Sequence, residues 1–157
     1  SEYAQQLTEK QKLLFNYGLR ERQLARLVAE AKRGRGVTGE SLMELLERRL
    51  DNVVFRAGFA PTVPAARQLV NHRHVIVNGG RVDIASYRVN AGDVISLRER
   101  SRKLGVVRES LASPSLPVPH WMELDVDTPA AKMLSLPPAT GASVDVDVQL
   151  VVEFYSR

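Results

Sequence analysis

The sequence predicts an α+β fold, with helical segments around a compact module of two helices followed by a small antiparallel sheet. Three observations carry that prediction. Residues 38–57 place Leu42, Leu45, Leu46, Leu50, Val53, Val54 and Ala57 at a helical period. This one-sided stripe reads as a single continuous amphipathic helix. Residues 62–70 repeat the pattern at Val63, Ala66, Leu69 and Val70. Strand character then begins at Val75, Ile76 and Val77, directly before Asn78-Gly79. That pair is the strongest two-residue hairpin signal, because a type I′ turn needs positive φ at both central positions.

The elements follow in order. A chain of 157 residues with 44% hydrophobic content can hold one domain, or two small ones, with a real core. Residues 2–17 carry a loose apolar stripe at Leu7, Leu13, Leu14 and Tyr17, which Gly18 interrupts. A second helix is expected over residues 20–31, on Leu24, Leu27, Val28 and Ala31. Thr38 is expected to cap the helix of residues 38–57, and Gly58 to end it. Thr62 caps the next helix, with Pro64 in its first turn, where a missing N–H costs nothing. After the hairpin, Val82 and Ile84 are expected to continue the return strand. Residues 89–93 form a turn and residues 94–97 a further strand. Residues 101–112 read as one helix, and residues 113–120 as a Pro-punctuated connector. Trp121 reads as a core anchor and ATGAS, residues 139–143, as flexible. Val144, Val146, Val148 and Leu150 alternate as in a strand.

Charge is unevenly placed. Residues 1–108 hold 20 Lys and Arg against 11 Asp and Glu, a net +9. Residues 109–157 hold 2 against 7, a net −5. Most of the 22 cations are Arg, which is always charged and contacts phosphate in a bidentate fork. No apolar run approaches the ~18 residues of a membrane span. With no cysteine, a disulfide framework and a Cys-based zinc site are excluded, and a reducing compartment fits. No Walker loop, GxSxG, HExxH or GxGxxG is present. His72 and His74 lack further ligands nearby for a metal. The chain is expected to be neither an enzyme nor a holder of a metal or cofactor, with no membrane and no small-molecule substrate among its partners.

The candidate contacts are cations and amides at the joints between elements. Arg22 and Arg26 lie four apart on the second helix, and Lys32, Arg33 and Arg35 form a Gly-spaced basic tail. That tail suits a phosphate backbone, and it equally suits an ordinary helix C-terminus. Arg48, Asn52 and Arg56 repeat every four residues on the polar side of the long helix, with Arg49 beside them. Arg67, Gln68, Asn71 and His72 face outward on the next helix, and Arg73 and His74 are further candidates where it stops. Asn78, Tyr87 and Arg88 follow on the strands and their loops, and Arg100 and Lys103 lie in the basic stretch beyond. A solvated charged surface is the alternative reading for the second helix and the basic stretch, plain exposure for the histidines, and a structural Glu44–Arg48 pair at i,i+4 for part of the long helix.

The run RLDNVVFRAGFAPTVPAARQLVNHRHVIVNGGRVDIASYRVNAGDVISLRE, entered through TGESLMELLERRLDN, resembles the RNA-binding module of bacterial and plastid small-subunit ribosomal protein S-four. SEYAQQLTEKQKLLFNYGLRERQ resembles the family's helical N-terminal domain, and LVVEFYSR its C-terminal end. The resemblance implies a helical domain with an inserted S-four-type module. It divides the chain into residues 1–43, the helical domain; 44–100, the module; 101–145, a basic helix, Pro-rich connector and small strands; and 146–157, a segment packing back on the N-terminal helices. It also implies a short terminal helix from about Val146, with Asp145 near its cap, in place of the strand.

Functionally, the resemblance implies a structural protein that binds 16S-type ribosomal RNA directly, nucleates assembly of the subunit body and contributes to translational accuracy. Its implied partners are ribosomal protein S-five and other small-subunit proteins. Its implied location is the cytoplasmic small ribosomal subunit, or a ribosome of the chloroplast stroma. The family usually begins with a further basic extension that sometimes holds a Cys-type zinc site, which the resemblance places outside this chain. It also commonly has a basic residue directly after Asn-Gly, where this sequence has Gly80 and then Arg81; a one-residue shift sends a strand side chain to the other face. Similar modules accompany pseudouridine synthases and tyrosyl-tRNA synthetases, but the flanks here carry no catalytic motif. A stand-alone protein-interaction module is the second alternative, with the acidic final third as its face.

Overall fold

The structure, a computed structural model of the chain, describes residues 1–139, 142 and 144–157. The expected flexible run, residues 139–143, lies largely outside the described residues. The elements are α1 (Glu2–Tyr17), α2 (Glu21–Arg33), α3 (Thr38–Glu47), α4 (Leu50–Arg56), α5 (Val63–Asn71), β1 (Val75–Val77), β2 (Gly80–Arg81) and β3 (Val94–Leu97). A 3-10 turn (Glu99–Lys103) precedes α6 (Gly105–Ala112), β4 (Met122–Asp125), β5 (Ala130–Met133) and α7 (Val148–Phe154). They form two compact units: Ser1–Glu47 with Pro138–Arg157, and Arg48–Pro137.

In the first unit, α1 starts at Ser1, whose side chain accepts from the Ala4 N–H at 3.1 Å. It ends at Gly18, held at φ 61 in the left-handed conformation that glycine adopts without steric cost. Thr38 is the first residue inside α3 rather than its cap; the Val37 carbonyl accepts from the Ser41 N–H at 3.0 Å. Leu13, Tyr17, Leu24, Val28, Leu42, Leu46 and Val151 form the core. Within it the Tyr17 hydroxyl donates to the Glu47 carboxylate at 2.5 Å.

The alternation over residues 144–150 does not make a strand. A helix forms instead, starting two residues later than the resemblance implies, with Asp147 rather than Asp145 at the N-cap. This helix, α7, packs on α1 and α3, so Val151 is buried by helix packing rather than by a sheet. Glu9 on α1 accepts the Asp147 N–H at 2.9 Å. Hydrogen bonding from Lys12 and then from that N–H holds the Glu9 carboxyl below the usual carboxylate range.

Gly39 lies against α7, where an added Cβ would meet Val148 Cγ1 at 2.9 Å. Gly39→Ala should therefore cost about 1–3 kcal/mol through overpacking. The check is a lowered urea midpoint; an unchanged midpoint would mean that Val148 gives way freely.

In the second unit, α4 and α5 pack together beside a five-stranded antiparallel sheet ordered β2-β1-β3-β5-β4. Val77 pairs with Gly80, which leaves Asn78 (φ 51) and Gly79 (φ 85) as the two-residue turn expected from the sequence. Leu50, Val54, Leu69, Val70, Val77, Ile95, Trp121 and Met133 meet in the core. The segment expected as a stretch apart, residues 101–145, supplies β4 and β5 to this sheet, because β5 pairs with β3 from Val94↔Lys132 to Ser96↔Ala130.

Three expectations for this unit need correction, and two share one cause. The stripe over residues 38–57 is not a single helix: α3 ends at Glu47 and α4 begins at Leu50. Arg49 is extended (φ −61, ψ 137) and bridges Arg88. The return strand β2 also ends at Arg81; the Val82 N–H still donates to the Val75 carbonyl at 3.3 Å, but Ile84 does not extend the strand. The shared cause is that residues 85–89 are used at the start of α4. The Leu50 N–H donates to the Tyr87 carbonyl at 2.8 Å, and the Asp51 N–H to the Ala85 carbonyl at 3.2 Å. The Val89 N–H donates back to the Arg48 carbonyl at 2.9 Å. Donors that a helix start leaves unpaired are thereby satisfied by a distant loop. The third correction is at residues 101–112, where the 3-10 turn and α6 are separate, with Leu104 extended between them (φ −61, ψ 135).

Candidate nucleic-acid interface

The side chains at the start of α4 converge on one carboxylate. Asp51 is 1% exposed. It accepts from Arg49 Nε at 3.2 Å and a second Arg49 nitrogen at 3.1 Å. It also accepts from two Arg67 nitrogens at 3.1 and 2.9 Å, and from the Asn52 N–H at 2.7 Å. A buried charge needs this density of partners. Asp51 was not among the candidates from the sequence. Its partner Arg67 lies 16 residues away, and no local spacing announces the pair.

This geometry corrects the candidates on the long helix. Arg49, Asn52 and Arg56 are buried at 6%, 1% and 6% exposure, so they do not form the outward face that the helical spacing suggested. Helical spacing placed them on a polar side, but the helix breaks at Arg48 and Arg49. Arg49 turns inward to Asp51, and the Arg56 guanidinium sits 5.7 Å from the centroid of the Trp121 ring. Arg48 is half-buried and pins the loop after Arg88, donating to the Val89 carbonyl at 3.0 Å and to Asn90 Oδ1 at 2.6 Å. Arg67 is intermediate, with 29% of its side chain exposed beside Asp51.

The outward face begins beyond Arg67. Gln68, Asn71 and His72 are exposed at i, i+3 and i+4, hence on one face of α5. Arg73 follows at φ 67 with its side chain 68% exposed, 3.5 Å from the half-exposed Asp83. A solvated pair of this kind holds its cation only weakly. His74 is half-buried, with Nδ1 2.7 Å from Ser101 Oγ. Burial, with His72 and Arg98 adding to it, pushes the His74 imidazolium below its ordinary value.

The remaining candidates lie on the hairpin, its loops and the basic stretch. Asn78 is exposed but fixed: its Nδ2 donates to Asp93 at 2.9 Å and its Oδ1 accepts the Val94 N–H at 2.9 Å. Tyr87 is half-buried and Arg88 exposed. Arg100 and Lys103 are exposed on the 3-10 turn. Arg81 and Arg108, outside the candidate set, are exposed as well. In the first unit, Arg22, Arg26, Arg33 and Arg35 are exposed, and Lys32 Nζ donates to the Tyr155 carbonyl at 3.0 Å. Among the described residues no cluster of three or more metal-ligating side chains occurs, and no helix is long and apolar enough to cross a membrane.

A helix pair, a type I′ hairpin and a rim of cations and amides over a buried Asp51 define the second unit as an S4-type module. Comparison agrees: the S4 domain family matches residues 48–95, and the ribosomal protein S4/S9 N-terminal domain family matches residues 1–47. The chain is 56% identical to small ribosomal subunit protein uS4 of Methylobacillus flagellatus over 157 residues, which covers all of this chain and 77% of that protein. It is 51% identical to uS4 of Thermosynechococcus vestitus, covering all of this chain and 78% of that protein. It is also 51% identical to uS4 of Thermoanaerobacter sp., covering 99% of this chain and 75% of that protein. The chain therefore belongs to the small ribosomal subunit protein uS4 family. A member of that family is a structural, non-enzymatic protein.

Proposed function

We propose that the chain binds small-subunit, 16S-type ribosomal RNA directly, and that its second unit presents the main contact face. The observation that carries this reading is the exposed series Gln68, Asn71, His72 and Arg73, set beside the Asp51 ion cluster that holds Arg67 in the middle of α5. Double-stranded RNA hides its base edges in a deep, narrow groove, so a protein meets its shape, phosphates and 2′-hydroxyls. Fixed amides supply orientation there, and Arg supplies salt-sensitive attraction. Arg81, Arg88, Arg100 and Lys103 extend the cationic rim. Arg22, Arg26, Lys32, Arg33 and Arg35 supply a second basic surface on the first unit.

The reading extends to place and role. The protein works within the small ribosomal subunit, nucleates assembly of its body and contributes to translational accuracy. It adjoins ribosomal protein S-five and other small-subunit proteins through its acidic final third. Family membership and the opposite charges of the two stretches support this.

The test is binding of the full chain to small-subunit ribosomal RNA between 50 and 200 mM salt. With six or more phosphate contacts, affinity should fall by a factor on the order of 1,000 or more across that range. The chain should also sediment with small subunits after a high-salt wash. A flat salt response, or free migration, would overturn the reading.

A further inference from the structure

The second unit contains a groove that its phosphate-facing cations do not account for. It lies between α5 and the start of α6 and encloses about 210 Å³. Its floor is apolar, made by Ala65, Leu69 and Leu104, and its rim is polar, made by Gln68, His72 and His74. The two imidazole centroids are 6.4 Å apart, with the rings tilted by 60°. Drug-sized ligands occupy pockets of about 300–1,000 Å³, so this groove suits one flat heterocycle rather than a longer molecule.

Resting on the RNA-binding reading above, we propose that this groove takes a single unstacked nucleobase of the bound RNA. The chemistry of its wall matches that occupant. A base has two apolar faces and an edge of donors and acceptors, and proteins hold splayed-out bases on ring or apolar surfaces with hydrogen bonds to that edge. The floor supplies the apolar surface. The Gln68 amide offers both a donor and an acceptor at the rim. His74 is set in place by Ser101, which is itself 2% exposed. Burial disfavours its imidazolium, which favours the uncharged aromatic ring in the groove wall.

A cation close to the groove favours an occupant that belongs to a polyanion. Arg73 lies between the two histidines in sequence, and Lys103 directly precedes Leu104. The Arg98 N–H donates to the His74 carbonyl at 3.0 Å. The Arg98 guanidinium acts on the His74 ring, which sets one cation beside the groove, where a phosphate next to a bound base could meet it. A free apolar ligand would have no use for it.

Two variants of the full chain test the proposal without removing a flanking cation. Val106, 39% exposed, lines the groove, so Val106→Trp fills it. His72→Ala removes one wall at an exposed position. Each should weaken binding to small-subunit ribosomal RNA by about tenfold, within the range for one lost base contact, while the slope of affinity against salt stays that of the parent chain. In addition, irradiation of the parent complex made with 4-thiouridine-substituted RNA should join RNA to the peptide spanning residues 68–74. Parental affinity in both variants, or a loss accompanied by a shallower salt slope, would overturn the groove assignment. Failure of the parent chain to bind with steep salt dependence would instead overturn the RNA-binding reading itself.

Discussion

Replacing Asp51 with alanine should destabilise the second unit by about 3–5 kcal/mol, the cost of removing one partner from a buried ion cluster. The magnitude follows from what is left behind. Arg49 would stay 6% exposed with its two bonds to Asp51 gone. Arg67 would lose the same anchor, and the Asn52 N–H its acceptor. Water cannot reach the buried guanidinium to compensate. The single Trp of the chain makes the measurement clean, because Trp121 is 2% exposed in the core of the same unit. Its fluorescence should report a lower urea midpoint in Asp51→Ala than in the parent chain. An unaltered midpoint would mean that the cluster contributes nothing net to stability.

The second large effect is on binding rather than stability. Arg73→Glu combined with Arg100→Glu should weaken binding to small-subunit ribosomal RNA by roughly a factor of ten or more, and lower the salt slope by about 1 for each lost cation. Neither side chain supports the fold: Arg73 makes one half-solvated ion pair, and Arg100 is exposed on the 3-10 turn. Stability should therefore move by no more than about 0.5 kcal/mol, as for other surface positions. Retained affinity would remove this face from the contact. Arg67 is the wrong residue for such a test, since a glutamate there would add a second carboxylate beside buried Asp51 and unfold what it was meant to probe.

The contrast between Arg67 and Arg73 shows what the sequence makes legible. Features set by neighbours along the chain were readable: the Thr62 cap, the inward set Val63, Ala66, Leu69 and Val70, and the Asn78-Gly79 turn. Each depends on chemistry within a few residues. The break between α3 and α4 was not readable, because Leu45, Leu46, Leu50 and Val53 carry the apolar period straight through it. What ends the helix is a set of backbone bonds from residues 85–89, more than thirty positions away.

The same distance hides the difference between contact and support at the interface. Arg48, Arg49, Asn52 and Arg56 have the composition of an RNA-facing stripe. Only the returning loop and the Asp51 cluster turn them into framework. By contrast, Gln68, Asn71, His72 and Arg73 were legible as an outward face, because the amphipathic pattern of α5 runs unbroken to its end. The groove beside them was not, since Leu104 and Val106 join it from a segment some thirty residues later.

The first unit is discontinuous in sequence, and that sets an order of events during synthesis. A chain grows from its N-terminus at roughly 5–20 residues per second, and domains fold as they are completed. The helices of Ser1–Glu47 must wait for the 90 residues of Arg48–Pro137 to be made before the remainder of their unit appears. That wait is roughly 5–18 seconds at those speeds. Through it α1 and α3 lack their partner α7, and the notch at Gly39 lacks Val148. The contiguous unit meanwhile has everything it needs to close. The hairpin and its basic rim therefore reach their finished form before α7 is made to close the helices that precede them in the chain.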